Sequence, residues 1–298
     1  MAILISGGSG LIGSKLINEL RKKGHQVKVL VRRTPKQEND FFWDYRNKII
    51  DDEALDNVDC IIHLAGANIG KRWTTAYKKE IIDSRIDSAN FLLEKCKEKQ
   101  ISLNSFISAS GINYYGTFNS DKILTEENGI LHNDFLSQVC DLWEKAAFGF
   151  SDISERIVIL RTAPVLAKNG GSFQKLKNIS DFHLASGIAN GKQWFSWIHI
   201  NDMVNLYLEA VENPDMKHIY NAVADETPTQ KEFMKTLASV NKKLFFPINV
   251  PSFIMKIAFG EMSEIILKGS RISNEKVKSL GFKFQFPKLK TALEDLLQ

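Results

Sequence analysis

The chain has 298 residues, 44% of them apolar and 25% charged, an ordinary globular composition with enough length to bury a large core. Its formal net charge of +4 is too small an excess to argue for a nucleic-acid partner, and lysine-rich stretches such as 95–99, which includes Glu98, read as solvated helix faces. No apolar run approaches the roughly 18 residues of a membrane span, and no basic leader precedes the first apolar run, so a membrane partner is not expected and a cytoplasmic location is.

Ala2–Ile5 is a short apolar run ending at glycines, the pattern of a buried parallel strand. A helix follows, with Leu11, Ile12, Leu16, Ile17 and Leu20 at 3.6-residue spacing, Lys22 and Lys23 in its last turn and Gly24 just beyond. The second strand spans Gln26–Val31, and Asp59–Leu64 is another buried strand ending at Ala65-Gly66. A long helix is expected from about Thr75 to Gln100, then a strand at Ser105–Ser108, a helix over Phe135–Phe148, a strand at Arg156–Leu160 and the last strand of the sheet at Ile219–Val223. Strands alternating with helical patterns imply right-handed βαβ units and a parallel sheet. After about Val240 the pattern changes: Pro247, Pro251 and Pro287 interrupt it, Phe253–Ile266 has the pattern of an amphipathic helix, and Lys283–Phe286 alternates like an edge strand. The expected fold is therefore α/β, a Rossmann-type doubly wound parallel sheet over residues 1–240 with a small C-terminal lobe over 241–298.

Gly7-Gly8-Ser9-Gly10-Leu11-Ile12-Gly13 satisfies GxGxxG from Gly8 and GxxGxxG from Gly7. Glycines let the backbone turn tightly and approach a pyrophosphate, and the following helix N-terminus offers free N–H groups. The motif gains weight from its setting between a strand and a helix, with a second strand about a dozen residues on. That second strand ends in Val31-Arg32-Arg33, where an NAD protein places an acid for the ribose hydroxyls. Two guanidinium groups suit a 2′-phosphate instead, which points to NADP.

With these residues in view, the chain resembles the extended short-chain dehydrogenase/reductase superfamily, and within it the atypical, SDR family 39U-like branch of epimerase family proteins. The resemblance rests on Gly7–Gly13, His63–Ile69, Lys71–Trp73, Asp83–Ile86, Ser108–Ser110, Tyr114–Gly116, Trp143-Glu144, Gly191–Ile200 and Gly260–Met262, which together run through nearly the whole chain. It implies NADP contacts at Arg32, Leu64, Ala65, Glu80, Arg85 and Val165, with Gly66 beside them, and a tail after about Val250 that is a separate small domain of unassigned role.

Ordinary members of that superfamily use Tyr-x-x-x-Lys as the acid–base pair. Here the residues four positions after the six tyrosines are Ile49, Ile81, Phe118, Asn119, Val211 and Ala224, and none is lysine. If Glu144 is the helix glutamate that follows the motif, the two slots hold Leu136 and Cys140. Ser110, matching the superfamily's substrate-binding Ser or Thr just past a strand end, and Tyr115 are the candidates for catalysis. Cys140 reads as a small buried residue, and Arg72, Trp73 and Arg85 are candidate ligand contacts, a guanidinium near the cofactor being able to clamp a phosphate or a substrate carboxylate. His199 in Trp197–Asp202 reads as a buttress, and Trp194, Phe195 and Trp197 as either pocket wall or core. Cys60, Cys96 and Cys140 are widely spaced and form no CxxC, and the histidines form no HExxH, so neither a disulfide nor a metal site is expected. The functional expectation is an NADP(H)-binding oxidoreductase or nucleotide-sugar-epimerase-like protein with a small-molecule substrate. A non-catalytic NADP(H)-binding sensor or assembly protein is the alternative, and the oligomeric state is open.

Overall fold

The computed structural model describes residues Met1–Gln298. In chain order its strands and helices are β1 (Ala2–Ser6), α1 (Leu11–Lys22), β2 (Gln26–Val31), β3 (Asp40–Asp44), β4 (Ile49–Ile50), β5 (Cys60–His63), α2 (Thr75–Glu98), β6 (Ser105–Gly111), β7 (Ser120–Leu124), α3 (Phe135–Phe148), β8 (Ile157–Thr162), β9 (Val165–Leu166), α4 (Gly171–Asp181), β10 (Ile198–His199), α5 (Ile200–Glu212), β11 (His218–Ala222), α6 (Gln230–Val240), α7 (Ser252–Phe259), α8 (Glu264–Leu267), β12 (Ser270–Ile272), α9 (Glu275–Ser279) and α10 (Leu289–Leu297). Eight strands form one sheet in the order β11-β8-β6-β5-β1-β2-β3-β4, parallel throughout except for β4, which runs antiparallel to β3. The chain moves outward from β1 through β2 and β3 on one side and through β5, β6, β8 and β11 on the other. The loops after β1 and β5 therefore diverge and leave a crevice at the carboxyl ends of the strands, the place where open α/β sheets bind ligands.

Both faces of the sheet are covered, which is why β1 is apolar without alternation. Ile3 and Ile5 pack with Leu16, Ile17 and Leu20 of α1 and Met203 and Tyr207 of α5. Leu4 faces the other way, into a core with Phe91 and Leu92 of α2 and Ala147 of α3. A third core joins Phe233, Met234 and Leu237 of α6 to Phe286, Leu289, Leu293 and Leu296 near the C-terminus, and Val277 enters the first core. The buried apolar side chains from Val277 to Leu296 thus share cores with residues 1–240, and β12 pairs with β7. No helix is long and apolar enough to cross a membrane.

Three expectations need correction. The helix expected over Phe253–Ile266 is broken: α7 ends at Gly260, whose φ of +59° reverses the chain into a 3₁₀ turn before the short α8. Lys283–Phe286 is not a strand. The backbone N–H groups of Gln285 and Phe286 instead donate to the buried Asp202 carboxylate at 2.7 and 2.9 Å, which satisfies them without a neighbouring edge. Finally, β6 continues to Gly111 because β8 pairs with it as far as Gly111↔Thr162, so Ser110 lies inside the strand rather than past its end.

Candidate functional site: two joined clefts at the glycine loop

The glycine loop is shaped partly by the fold and partly for something outside it. Gly7 has φ +74°, and a Cβ there would lie 2.7 Å from the Leu64 carbonyl, so the loop after β5 leaves no room for one. A Cβ on Gly13 would come within 2.5 Å of the Gly7 carbonyl oxygen, which forbids a side chain where α1 packs on the loop. Gly10 differs. Its φ of −76° suits any residue, and a Cβ would meet only the Gly7 oxygen, at 3.2 Å. No tight internal packing requires it to be bare, yet it lines the crevice. Close approach of a ligand backbone supplies the missing reason, and the first turn of α1, with no acidic residue and no side-chain cap, leaves its N–H groups for an anion. The loop fits a dinucleotide pyrophosphate.

Two clefts meet at this loop and share Gly7, Gly10 and Leu64. The larger, about 760 Å³, lies over β2 and is lined by Ser9, Arg32, Arg33, Ala65, Gly66 and Glu80 among the expected residues. Arg32 and Arg33 are exposed there. Glu80 is the only carboxylate in the lining, and its partner is Arg46. Sequence reasoning missed Trp43 and Tyr45, which reach this cleft from β3 and the residue after it, and Asn68, Lys71 and Tyr77. The aromatic run Phe41-Phe42-Trp43 was the available signal, but periodicity alone does not tell a short apolar run that walls a cleft from one that fills a core.

The smaller cleft, about 340 Å³, is lined by Leu11, Ile12 and Gly13 on one side and by Ile69, Arg85, Ser110, Leu136, Cys140, Trp143 and Thr162 on others. Leu136 and Cys140, one turn apart on α3, both face it, as the inferred slots require. Arg85 is buried, donates to the Ala67 and Ile81 carbonyls at 3.0 and 2.9 Å, and lies 4.8 Å from the Trp143 ring. Burial lowers its pKa to about 10, still cationic at neutral pH. Behind the cleft, Arg161 forks onto Glu144 through two 2.8 Å hydrogen bonds, both residues are about 95% buried or more, and the Ser110 hydroxyl donates to Glu144 Oε1 at 2.7 Å.

The remaining expected residues sit elsewhere. Tyr115 lines neither cleft: it is 1% exposed, and its hydroxyl donates to Asn221 Oδ1 at 2.8 Å. Desolvation raises its pKa to about 12, so the expectation that it supplies a reactive phenol is withdrawn. Val165, in β9, lines neither cleft. Desolvation, then the Glu144 charge, pushes the Cys140 thiol up to about 12. Trp73 donates from Nε1 to the Ile69 carbonyl at 2.9 Å and packs edge-on against Phe135 at the rim. Trp197 is core, Phe195 packs on Phe233, and Trp194 donates to Asp121, and the aromatic run lines neither of the two clefts. His199 accepts from the Asn201 N–H and caps α5, with Asp202 beneath it holding the tail. His63 is wholly buried between the hydroxyls of Ser6 (2.8 Å) and Ser88 (3.1 Å), and burial lowers its pKa to about 4. No cluster of three or more potential metal-ligating side chains occurs.

Comparison with known proteins agrees with this geometry. A family profile described as "NAD dependent epimerase/dehydratase family" matches residues 3–133, and one described as "Domain of unknown function (DUF1731)" matches residues 250–296. The chain is 35% identical over 296 residues to an epimerase family protein of Staphylococcus haemolyticus, covering 99% of this chain and 98% of that one. It is 34% identical over 298 residues to another from Staphylococcus aureus, with the same coverage. Among solved structures it superposes on human epimerase family protein SDR39U1 with NADPH at a TM-score of 0.89 and 26% identity, covering 100% of this chain and 99% of that one. The fold alone is shared with UDP-glucuronic acid 4-epimerase from Bacillus cereus in complex with NAD, at a TM-score of 0.78, 20% identity, and coverage of 100% and 96%. A chain with this loop, this crevice and full-length relatives of this kind belongs to the epimerase family proteins, an NAD(P)-binding branch of the short-chain dehydrogenase/reductase-like fold.

Proposed function

We propose that this protein binds NADP(H) in preference to NAD(H) and is an oxidoreductase or nucleotide-sugar-epimerase-like protein acting on a small molecule seated in the smaller cleft. One observation carries the cofactor choice. Arg32 and Arg33 stand exposed in the larger cleft at the end of β2, and the only carboxylate in that cleft is engaged by Arg46. A 2′-phosphate placed there meets guanidinium groups without a competing internal acid. The first turn of α1 holds the pyrophosphate, and the backbone of Leu64–Gly66 closes over it. A nicotinamide cofactor held by these residues would supply hydride exchange to a molecule in the smaller cleft. There Leu136, Val139 and Trp143 exclude water and Ser110 offers a polar contact.

A second reading, a non-catalytic NADP(H)-binding sensor or assembly protein, is favoured by a specific observation. The smaller cleft has no evident group to exchange a proton near neutral pH: leucine fills one inferred slot, the Cys140 thiol is pushed up to about 12, and Tyr115 is in the core. Fluorescence titration with NADPH and NADH tests the cofactor claim. Arg32→Ala should lose roughly ten- to a hundredfold in NADPH affinity and leave NADH unchanged. Unchanged NADPH affinity in both Arg32→Ala and Arg33→Ala overturns it. Following 340 nm absorbance against a panel of carbonyl compounds, and in reverse against alcohols with NADP⁺, separates the two readings.

A further inference from the structure

The chain from Leu244 to Ile257 presents an apolar face that nothing in the molecule covers. Of the eight residues of α7 only Ser252 and Lys256 are polar, yet none of the eight is buried. Phe253 and Ile257, one turn apart, are 60% and 75% exposed, with Ile254 exposed beside them. The preceding segment continues the face with Leu244, Phe246 and Ile248, all exposed. Backbone N–H groups of Phe246 and Val250 donate to the carbonyls of Ala185 and Gly187 at 2.7 and 2.8 Å, which brings the exposed Phe182 and Leu184 alongside. An apolar patch of this kind marks an interaction surface.

The charge around it is one-sided. Residues 172–192 and 229–259, which build the face, contain eight lysines, no arginine and two acids, in a chain whose net charge is only +4. Both acids are engaged internally: Asp181 by Lys177 at 2.7 Å and by Asn241 at 2.8 Å, and Glu232 in the capping box of α6. Lys235, Lys242, Lys243 and Lys256 face no acid on their own stretch of chain, since none occurs from Gln230 to Gly260 except Glu232. Lys235 Nζ lies 5.7 Å from the Phe245 ring centroid, and Lys256 stands exposed on α7 itself.

We propose that this face binds the surface of an anionic lipid bilayer, with α7 lying in the plane of the headgroups. Phe253, Ile257 and Leu244 enter the boundary between headgroup and acyl chain, while the lysines lay their apolar stems along it and hold their ammonium groups at the level of the lipid phosphates. A second copy of the chain fits less well, because a two-fold contact through this face would set lysines against lysines. A protein partner also fits less well: the cations here are all lysine, which protein interfaces deplete in favour of arginine. A surface contact needs no spanning helix, so the expectation of no membrane partner, drawn from the lack of a long apolar run, does not reach it. The proposal is independent of the cofactor reading.

The test is flotation of the full chain with vesicles of phosphatidylcholine alone and of phosphatidylcholine mixed with an equal amount of phosphatidylglycerol. The protein is expected to bind the mixed vesicles about tenfold tighter or more, and to lose that preference as salt is raised. Phe253→Ser with Ile257→Ser should weaken binding about tenfold or more, and Lys242→Gln with Lys256→Gln by about tenfold. Ile130→Ser, at an exposed apolar residue outside the face, should change nothing. All five positions are exposed, so melting temperature and NADPH affinity should stay at the parent's values; if the apolar pair fails to fold, the lysine pair still decides. No binding to the mixed vesicles, equal binding to neutral ones, or full binding by either double variant overturns the proposal. Retention on polyglutamate without vesicle binding overturns it in favour of an acidic protein partner. A dimer in sedimentation velocity that the Phe253→Ser, Ile257→Ser protein no longer forms overturns it in favour of a second copy.

Discussion

The two clefts that meet at the glycine loop are built on different terms. The larger is charged: its arginines are exposed, its one acid is already paired, and its aromatic wall comes from β3 and the residue after it. The smaller is mostly apolar, and three of its polar groups are already hydrogen-bonded within the protein. Arg85 bonds backbone carbonyls, Ser110 bonds Glu144 and Thr162 bonds Leu160. The larger cleft is suited to capture a charged ligand from water. The smaller lacks a group that changes protonation near neutral pH. Beyond the shared loop the two clefts thus draw on different residues, and changes can be aimed at one and not the other.

The largest expected effect comes from the loop the clefts share. Gly10→Val should abolish NADPH binding, seen as loss of fluorescence enhancement, while circular dichroism and thermal melting show a folded protein. The fold tolerates a β-carbon there with a small shift of Gly7, whereas a pyrophosphate does not. A folded Gly10→Val protein that binds NADPH normally would remove the assignment of the loop.

Next is the support behind the smaller cleft alone. Glu144→Ala leaves Arg161 buried without its counter-ion and should cost about 3–5 kcal/mol in urea unfolding, more than an ordinary surface change. The comparison predicts that any NADPH affinity lost is small next to that of Arg32→Ala. A Glu144→Ala protein as stable as the parent would show that the pair is not structural.

A pH scan addresses the floor of the crevice, where β1 and β5 meet. His63 has its pKa lowered by burial from 6.5 to about 4. The unfolded chain therefore takes up a proton that the folded one refuses, and stability is full above about pH 6.5 and falls as the pH drops toward 4. A shift of this size corresponds to about 3 kcal/mol. His199, lowered to about 4 by burial, adds to the same slope. Melting temperatures should decline from pH 7 to pH 4.5, and His63→Gln should flatten part of that slope; an unaltered slope would place its origin elsewhere. The smallest effect is at Cys140. Because the thiol is buried and pushed up to about 12, it should resist a thiol reagent at pH 8 until the protein unfolds, and Cys140→Ser should change NADPH affinity by less than about twofold. Rapid labelling of Cys140 in the folded state would contradict the burial of its thiol.

Much of the larger cleft was legible in the sequence because its determinants are local. Gly7 to Gly13 are contiguous, and Arg32 and Arg33 directly follow β2, so strand, loop and helix follow from a single stretch of chain. The smaller cleft was legible only in pieces. Leu136 and Cys140 were found by counting back from Glu144 along one helix, a local operation. The placement of Tyr115 was missed because its neighbour is Asn221, 106 residues away. The tail misled for the same reason. Lys283–Phe286 alternates as a strand does, but its backbone donors are taken by Asp202, more than eighty positions earlier.

What the sequence by itself determined was six strands of the sheet (β1, β2, β5, β6, β8 and β11), the helices α1 to α3, the phosphate loop and the charge at the end of β2, because hydrophobic period, glycine spacing and side-chain charge act over a few residues. Tertiary structure alone decided that a serine would face the smaller cleft with its proton already spoken for. That outcome needs β6, α3 and β8 to bring Ser110 and Arg161 each within 3 Å of the buried Glu144 carboxylate.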